Sequence, residues 1–222
     1  MTQIDMPARH NDGLLQFIER PLLLWLAQRM PAWVTPDMLT GLGFFGACVA
    51  AVSYGLVRCD LAFLWLASVG LLINWFGDSL DGNLARYRKI ERPKYGFFLD
   101  QNLDAFAQLL FACGLGLSGL IRFELSMFAL ATYFLLSLLS LVRAIVTDVF
   151  AMTYGTIGLT ELRIVFVLLN VAMYFFPPQP IMIGDFGFTY PEIISAAWAA
   201  SMLVAFALSF TSNLKRLAVE RR

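Results

Sequence analysis

Charge is scarce in this chain. Only 14% of its 222 residues are Asp, Glu, Lys or Arg, against roughly 25% in an ordinary globular domain. The 16 basic and 16 acidic residues cancel, so no global positive field exists to attract nucleic acid. Histidine is almost absent: His10, in the polar N-terminal stretch, is the single one. A histidine-based metal site and a Ser-His-Asp triad are therefore not expected. Cysteine is scarce too, and Cys48, Cys59 and Cys113 have neither metal-ligand nor disulfide spacing. They are expected to pack as small apolar residues. A cleavable signal peptide is also not expected, because residues 1–20 are polar and the apolar run 21–26 is too short. No low-complexity segment or internal repeat stands out.

What the chain has in excess is apolar sequence, at 59% of residues and a mean hydropathy of +0.70. A helix crosses a bilayer with about 20 apolar residues, and the runs predict about six such spans. They fall near 37–57, 61–86, 96–119, 124–146, 160–176 and 190–211. The expected fold is therefore all-α, a polytopic membrane helix bundle. Residues 1–30 form a separate N-terminal segment, in which 13–30 mix apolar positions with Glu19, Arg20, Gln28 and Arg29. That mixture predicts an amphipathic helix at the membrane interface, ahead of a six-span domain over 31–222. Lys and Arg set the orientation. All but Arg58 and Arg122 fall on one side, which places both termini and the 86–94 loop in the cytosol.

Against this background, residues 78–104, DSLDGNLARYRKIERPKYGFFLDQNLD, concentrate four aspartates. Asp78 and Asp81 are spaced i, i+3 at the end of the second span. Asp100 and Asp104 are spaced i, i+4 near the start of the third. Each spacing puts both carboxylates on one face of a helix, and a short loop makes the two helices antiparallel neighbours. Unpaired carboxylates at membrane depth cost several kcal/mol on the steeper estimates, so the cluster needs compensation. Hard divalent cations supply it: Mg²⁺ favours carboxylate, water and phosphate oxygens. Two ions roughly 3.5–4 Å apart would match four negative charges and clamp a diphosphate. Gly82 and Ala85 leave room for close approach to the backbone, as Gly96 does opposite, and the planar fork of Arg86 suits a phosphate. A second polar group gathers near the cytosolic ends of spans four and five: Arg143, Asp148, Thr160, Glu161 and Arg163. It is a candidate pocket for an acceptor or a headgroup.

Asp78, Asp81, Gly82, Ala85, Arg86, Gly96, Asp100 and Asp104 fill the pattern D-x-x-D-G-x-x-A-R … G-x-x-x-D-x-x-x-D. That pattern resembles the signature of the CDP-alcohol phosphotransferase (phosphatidyltransferase) family. The loop between Arg86 and Gly96 is one residue longer than is common, which a loop absorbs cheaply. Weaker likeness extends to 29–43, where Asp37 stands in place of a frequent asparagine. The segment YGTIGLTELRI (154–164) is similar to one in the choline/ethanolamine branch. The resemblance implies transfer of a substituted phosphate from a CDP-linked donor to an alcohol, with release of CMP, in membrane phospholipid synthesis.

In that scheme Asp78, Asp81, Asp100 and Asp104 hold two Mg²⁺ ions, with Mn²⁺ as an alternative. Asp104 deprotonates the acceptor hydroxyl. Gly82, Ala85, Arg86 and Gly96 line the nucleotide pocket, and Arg143, Thr160, Glu161 and Arg163 serve the acceptor or headgroup. The resemblance also implies a homodimer in a bacterial cytoplasmic membrane, its active site facing the cytosol. Two arrangements stay open: CDP-diacylglycerol with a polar alcohol, or CDP-choline or CDP-ethanolamine with a lipid alcohol. Two other classes compete. An intramembrane prenyltransferase also uses aspartates and Mg²⁺, but in two motifs far apart in a longer chain. A divalent-cation transporter would carry its acidic residues near mid-membrane.

Overall fold

The computed structural model describes residues 8–10, 16–147, 149–151, 159–183 and 185–219. Helices dominate: α1 (Gln16–Arg29), α2 (Pro36–Leu56), α3 (Phe63–Arg88), α4 (Pro93–Leu117), α5 (Phe123–Thr147), α6 (Leu159–Phe175) and α7 (Tyr190–Val219). Helices α2 to α7 fall where the apolar runs predict spans. Four of them, α2, α3, α5 and α7, are long and apolar enough to cross a membrane. The architecture is thus all-α and polytopic. Helix α6 has 17 residues, and the first half of α4 carries Lys94, Asp100 and Asp104. Two short strand pairs, which the sequence reading did not anticipate, complete the fold. Strand β1 (Ala8–His10) pairs in parallel with β2 (Val149–Ala151), and β3 (Ile181–Ile183) pairs antiparallel with β4 (Phe186–Phe188).

Local chemistry sets the boundaries around the aspartates. Helix α2 opens on Thr35, whose hydroxyl accepts from the Met38 N–H at 3.2 Å, with Pro36 in the first turn, where its missing N–H costs nothing. Helix α3 ends at Lys89 in the left-handed region, φ 57°. Helix α4 restarts at Pro93, again with proline in the first turn. The Arg88 guanidinium donates to the carbonyls of Met30, Pro31 and Val34, which binds the 30–34 turn to the end of α3.

The bundle is organised around α2, which packs on both α3 and α4. The α2–α3 crossing is lined with small residues. A Cβ at Gly46 would lie 2.5 Å from the Asn74 backbone nitrogen, and one at Gly70 would lie 2.5 Å from that of Ala50. Only glycine lets the two backbones meet there, the usual device where membrane helices touch. The stacked Phe44 and Phe106 rings, 5.4 Å apart, join α2 to α4.

Helix α1 packs on α3 through Leu23 and Ala27, against Leu80 and Leu84. Phe17, Leu24 and Trp25 stay exposed on α1, so its apolar residues point both inward and outward. At the far end of the bundle, Arg122 and Glu192 pair at 2.8 Å beside the α5–α7 packing.

Candidate metal centre and transfer site

Asp78 projects from the second half of α3, Asp100 and Asp104 from the first half of α4. One carboxylate oxygen from each lies within 4.8 Å of the others. The three face a small cavity whose remaining wall is Thr40, Gly43 and Phe44 of α2, Asn74 of α3, and Leu103 and Ala107 of α4. Its volume is about 20 Å³, room for one water-sized body. A donor set made wholly of carboxylate oxygens fits a hard divalent cation.

Asp81 stands one turn beyond Asp78 and turns aside. Its carboxylate accepts from the Thr40 hydroxyl at 2.5 Å and from the Gly82 N–H at 2.5 Å. The convergence is therefore of three carboxylates, with the fourth held by α2. The glycines flanking the cluster are open. A Cβ on Gly82 would meet only the Arg86 guanidinium at 3.5 Å, and one on Gly96 would meet nothing within 4 Å. Neither glycine is required by helix packing, unlike Gly43, Gly46 and Gly70. Ala85 is half-buried and Arg86 exposed on the same end of α3.

The second polar group divides. Arg163 of α6 reaches the cluster itself, pairing with Asp78 at 2.7 Å, the two side chains only 12% and 20% exposed. Thr160 does not face the cavity: its hydroxyl donates to Glu19 at 3.0 Å. Arg143 in α5 and Glu161 in the first turn of α6 are half-buried, and neither lines the cavity. Asp148 lies outside the described residues.

Three residues around the site are not expected there from the sequence motif. Glu19 of α1 accepts from Trp75 Nε1 at 2.9 Å, Ser79 Oγ at 3.1 Å and Thr160 Oγ1 at 3.0 Å, so it joins α1, α3 and α6 behind Asp78. Thr40 holds Asp81. Asn74 sits one helical turn before Asp78 as a lone amide in an apolar run. Asp37, which replaces the asparagine frequent in the resemblance, pairs with Arg92 at 2.5 Å. Both partners are about half exposed, and such pairs contribute little to stability.

The profile described as CDP-alcohol phosphatidyltransferase matches residues 33–211, which includes all four aspartates. A phosphatidylinositol phosphate synthase of Cutibacterium acnes is 38% identical over 87 residues, 39% of this chain and 39% of that protein. An archaetidylinositol phosphate synthase of Pyrococcus horikoshii is 32% identical over 104 residues, 47% of this chain and 52% of that protein. The chain thus spans about half or less of the length of these relatives. With the profile covering most of its length and the aspartates gathered as described, the chain belongs to the CDP-alcohol phosphatidyltransferase family.

Proposed function

We propose that this protein transfers a substituted phosphate from a CDP-linked lipid donor to a polar alcohol and releases CMP, in a divalent-metal-dependent step of phospholipid synthesis. The observation that carries this reading is the meeting of Asp78, Asp100 and Asp104 at one cavity, beside two glycines with open faces. Asp78, Asp100 and Asp104 would hold Mg²⁺, and Asp81 joins them by giving up its bond to Thr40. When bound, two such ions neutralise a diphosphate and stabilise charge on its leaving oxygen.

The chain's own residues do the rest. Gly82 and Gly96 let the nucleotide approach the backbone of α3 and α4, and Ala85 and Arg86 complete that wall. Asp104 accepts the proton of the acceptor hydroxyl. The freed oxygen bonds to the β-phosphorus, the bond from that phosphorus to the bridging oxygen breaks, and CMP departs. Arg143 and Arg163 supply positive charge where an anionic acceptor would enter, Glu161 borders it, and Thr160 supports it through Glu19. A lipid donor is favoured because both relatives are named as synthases of phosphatidyl- or archaetidylinositol phosphate. The 154–164 likeness carries less weight, since Thr160 and Arg163 are engaged by Glu19 and Asp78.

In the same reading α4 and α6 cross the bilayer with the four apolar helices, giving six spans after an interfacial α1. The site and both termini face the cytosol, the bacterial cytoplasmic membrane is the setting, and the protein works as a homodimer. The deciding assay gives purified protein CDP-diacylglycerol, CDP-choline or CDP-ethanolamine with a panel of alcohols and inositol phosphates. CMP is expected from CDP-diacylglycerol with Mg²⁺ and not with chelator. Absence of metal-dependent CMP from every pair would overturn the reading.

The glycines provide a separate check. Alanine is favoured over glycine in a helix by about 1 kcal/mol, and neither position is crowded. Gly82→Ala and Gly96→Ala are therefore expected to keep or raise the melting temperature. The added methyl takes room from the nucleotide, so each should weaken CDP-donor binding about tenfold, a clash of about 1.4 kcal/mol. Donor Kd unchanged in both variants would remove these glycines from the nucleotide pocket.

A further inference from the structure

Asn74 lines the carboxylate cavity and is 3% exposed. Its Nδ2 donates to the Gly43 carbonyl at 3.0 Å. A backbone carbonyl only accepts, so this bond fixes which end of the amide faces α2. The opposite end, Oδ1, is buried and has no hydrogen-bond partner among the described residues. A buried acceptor left without a donor is costly, a penalty that a chain bears where the atom has a ligand to meet.

The chemistry of the cavity wall narrows that ligand. Its polar groups are Asp78, Asp100, Asp104, Thr40 and Asn74. The Thr40 hydroxyl is engaged by Asp81 and the Asn74 nitrogen by Gly43. What faces the space is therefore a set of acceptors: carboxylate oxygens and Asn74 Oδ1. The volume of about 20 Å³ admits one water, which needs two to four polar partners. Such a water donates one hydrogen to Oδ1 and the other to a carboxylate. Its own lone pairs then have no donor to meet and suit a cation.

We propose that Asn74 is a positioning residue of the metal centre, its Oδ1 accepting a hydrogen bond from a metal-bound water at the floor of the cavity. The Gly43 bond serves this by holding the amide in one orientation, so that the glycine-lined α2–α3 crossing orients an ion ligand as well as packing two helices. This inference rests on the divalent-metal reading above and extends it to a residue outside the aspartate motif.

The test is Mn²⁺ binding to the purified full chain without any CDP donor, read by electron paramagnetic resonance. Asn74→Leu, Asn74→Asp and Asp100→Asn are compared with the unaltered protein, and melting temperature in chelator is measured for each. Asn74→Leu and Asn74→Asp both lose the bond to Gly43, so any difference between them reports the oxygen facing the cavity. Asn74→Leu is expected to weaken Mn²⁺ binding about 10- to 100-fold, the usual cost of removing an outer-shell partner. Asn74→Asp, which keeps an oxygen toward the cavity and gives it a negative charge, is expected to bind Mn²⁺ more tightly than the unaltered protein. Equal Mn²⁺ affinity in the unaltered protein and both Asn74 variants, with Asp100→Asn weakened, would overturn the proposal and leave Asn74 as a helix clasp. No Mn²⁺ binding by the unaltered protein would sink the metal reading itself, and the proposal with it. Should Asn74→Leu fail to fold, Asn74→Asp decides alone: tighter binding supports the role of Oδ1, and unchanged binding refutes it.

Discussion

Asp104→Asn is expected to lower turnover by about 10²- to 10⁴-fold, the usual contribution of a positioned general base, while CDP-donor binding at saturating Mg²⁺ stays close to that of the unaltered protein. Asparagine keeps the shape of aspartate but neither its charge nor its ability to take a proton. Asp104 also contributes an oxygen to the three-carboxylate cluster, so loss of activity alone would not separate base from ligand. Asp100→Asn supplies the contrast. A residue that only holds an ion should lose donor and metal affinity along with turnover, and excess metal should recover part of the rate. For Asp104→Asn added metal should recover little. The measurements are single-turnover CMP release and donor Kd across a Mg²⁺ titration. Near-normal turnover in Asp104→Asn would remove it as the base, and parallel behaviour of the two variants would make it a ligand only.

How much of this was legible in the sequence depends on the kind of signal. The helices follow from apolar runs, and the pairing of aspartates on one face follows from helical spacing. Boundaries were less legible, because hydrophobicity marks the membrane rather than the helix. Helix α7 continues to Val219 through TSNLKRLAV, where no glycine or proline stops it. Glu19 read as one polar position of an amphipathic interfacial helix, yet it is the acceptor that ties α1 to Trp75, Ser79 and Thr160. Its partners lie far along the chain, and no local spacing encodes them. Asn74 carries no charge and stands alone, so only its depth in an apolar run marks it. Asp81 shows the converse limit: helical spacing places it beside Asp78, but the Thr40 hydroxyl on another helix decides where its carboxylate turns.

Arg163→Gln is expected to destabilise the protein by about 3–5 kcal/mol in chelator, the cost of breaking a buried ion pair by removing one partner. The loss should shrink when Mg²⁺ is added. Arg163 is the cation on Asp78, at 2.7 Å, and Asp78 shares a space of 4.8 Å with two further carboxylates. Without the guanidinium those three repel one another in a poorly hydrated pocket. A divalent ion bound there supplies the missing charge, and by linkage a ligand that binds only the folded state stabilises it as its affinity rises. The variant should therefore show a larger Mg²⁺-induced rise in melting temperature than the unaltered protein, and tighter Mn²⁺ binding, because a competing cation has gone. Arg163→Lys should recover part of the stability in chelator, as it keeps a point charge without the planar fork. An equal loss with and without Mg²⁺ would mean that Arg163 supports the α3–α6 packing independently of the ion site. A Mg²⁺ response that grows as the arginine is removed would instead show protein cation and metal exchanging on the same carboxylate. Such an exchange would give the cluster a way to remain folded between metal-bound states.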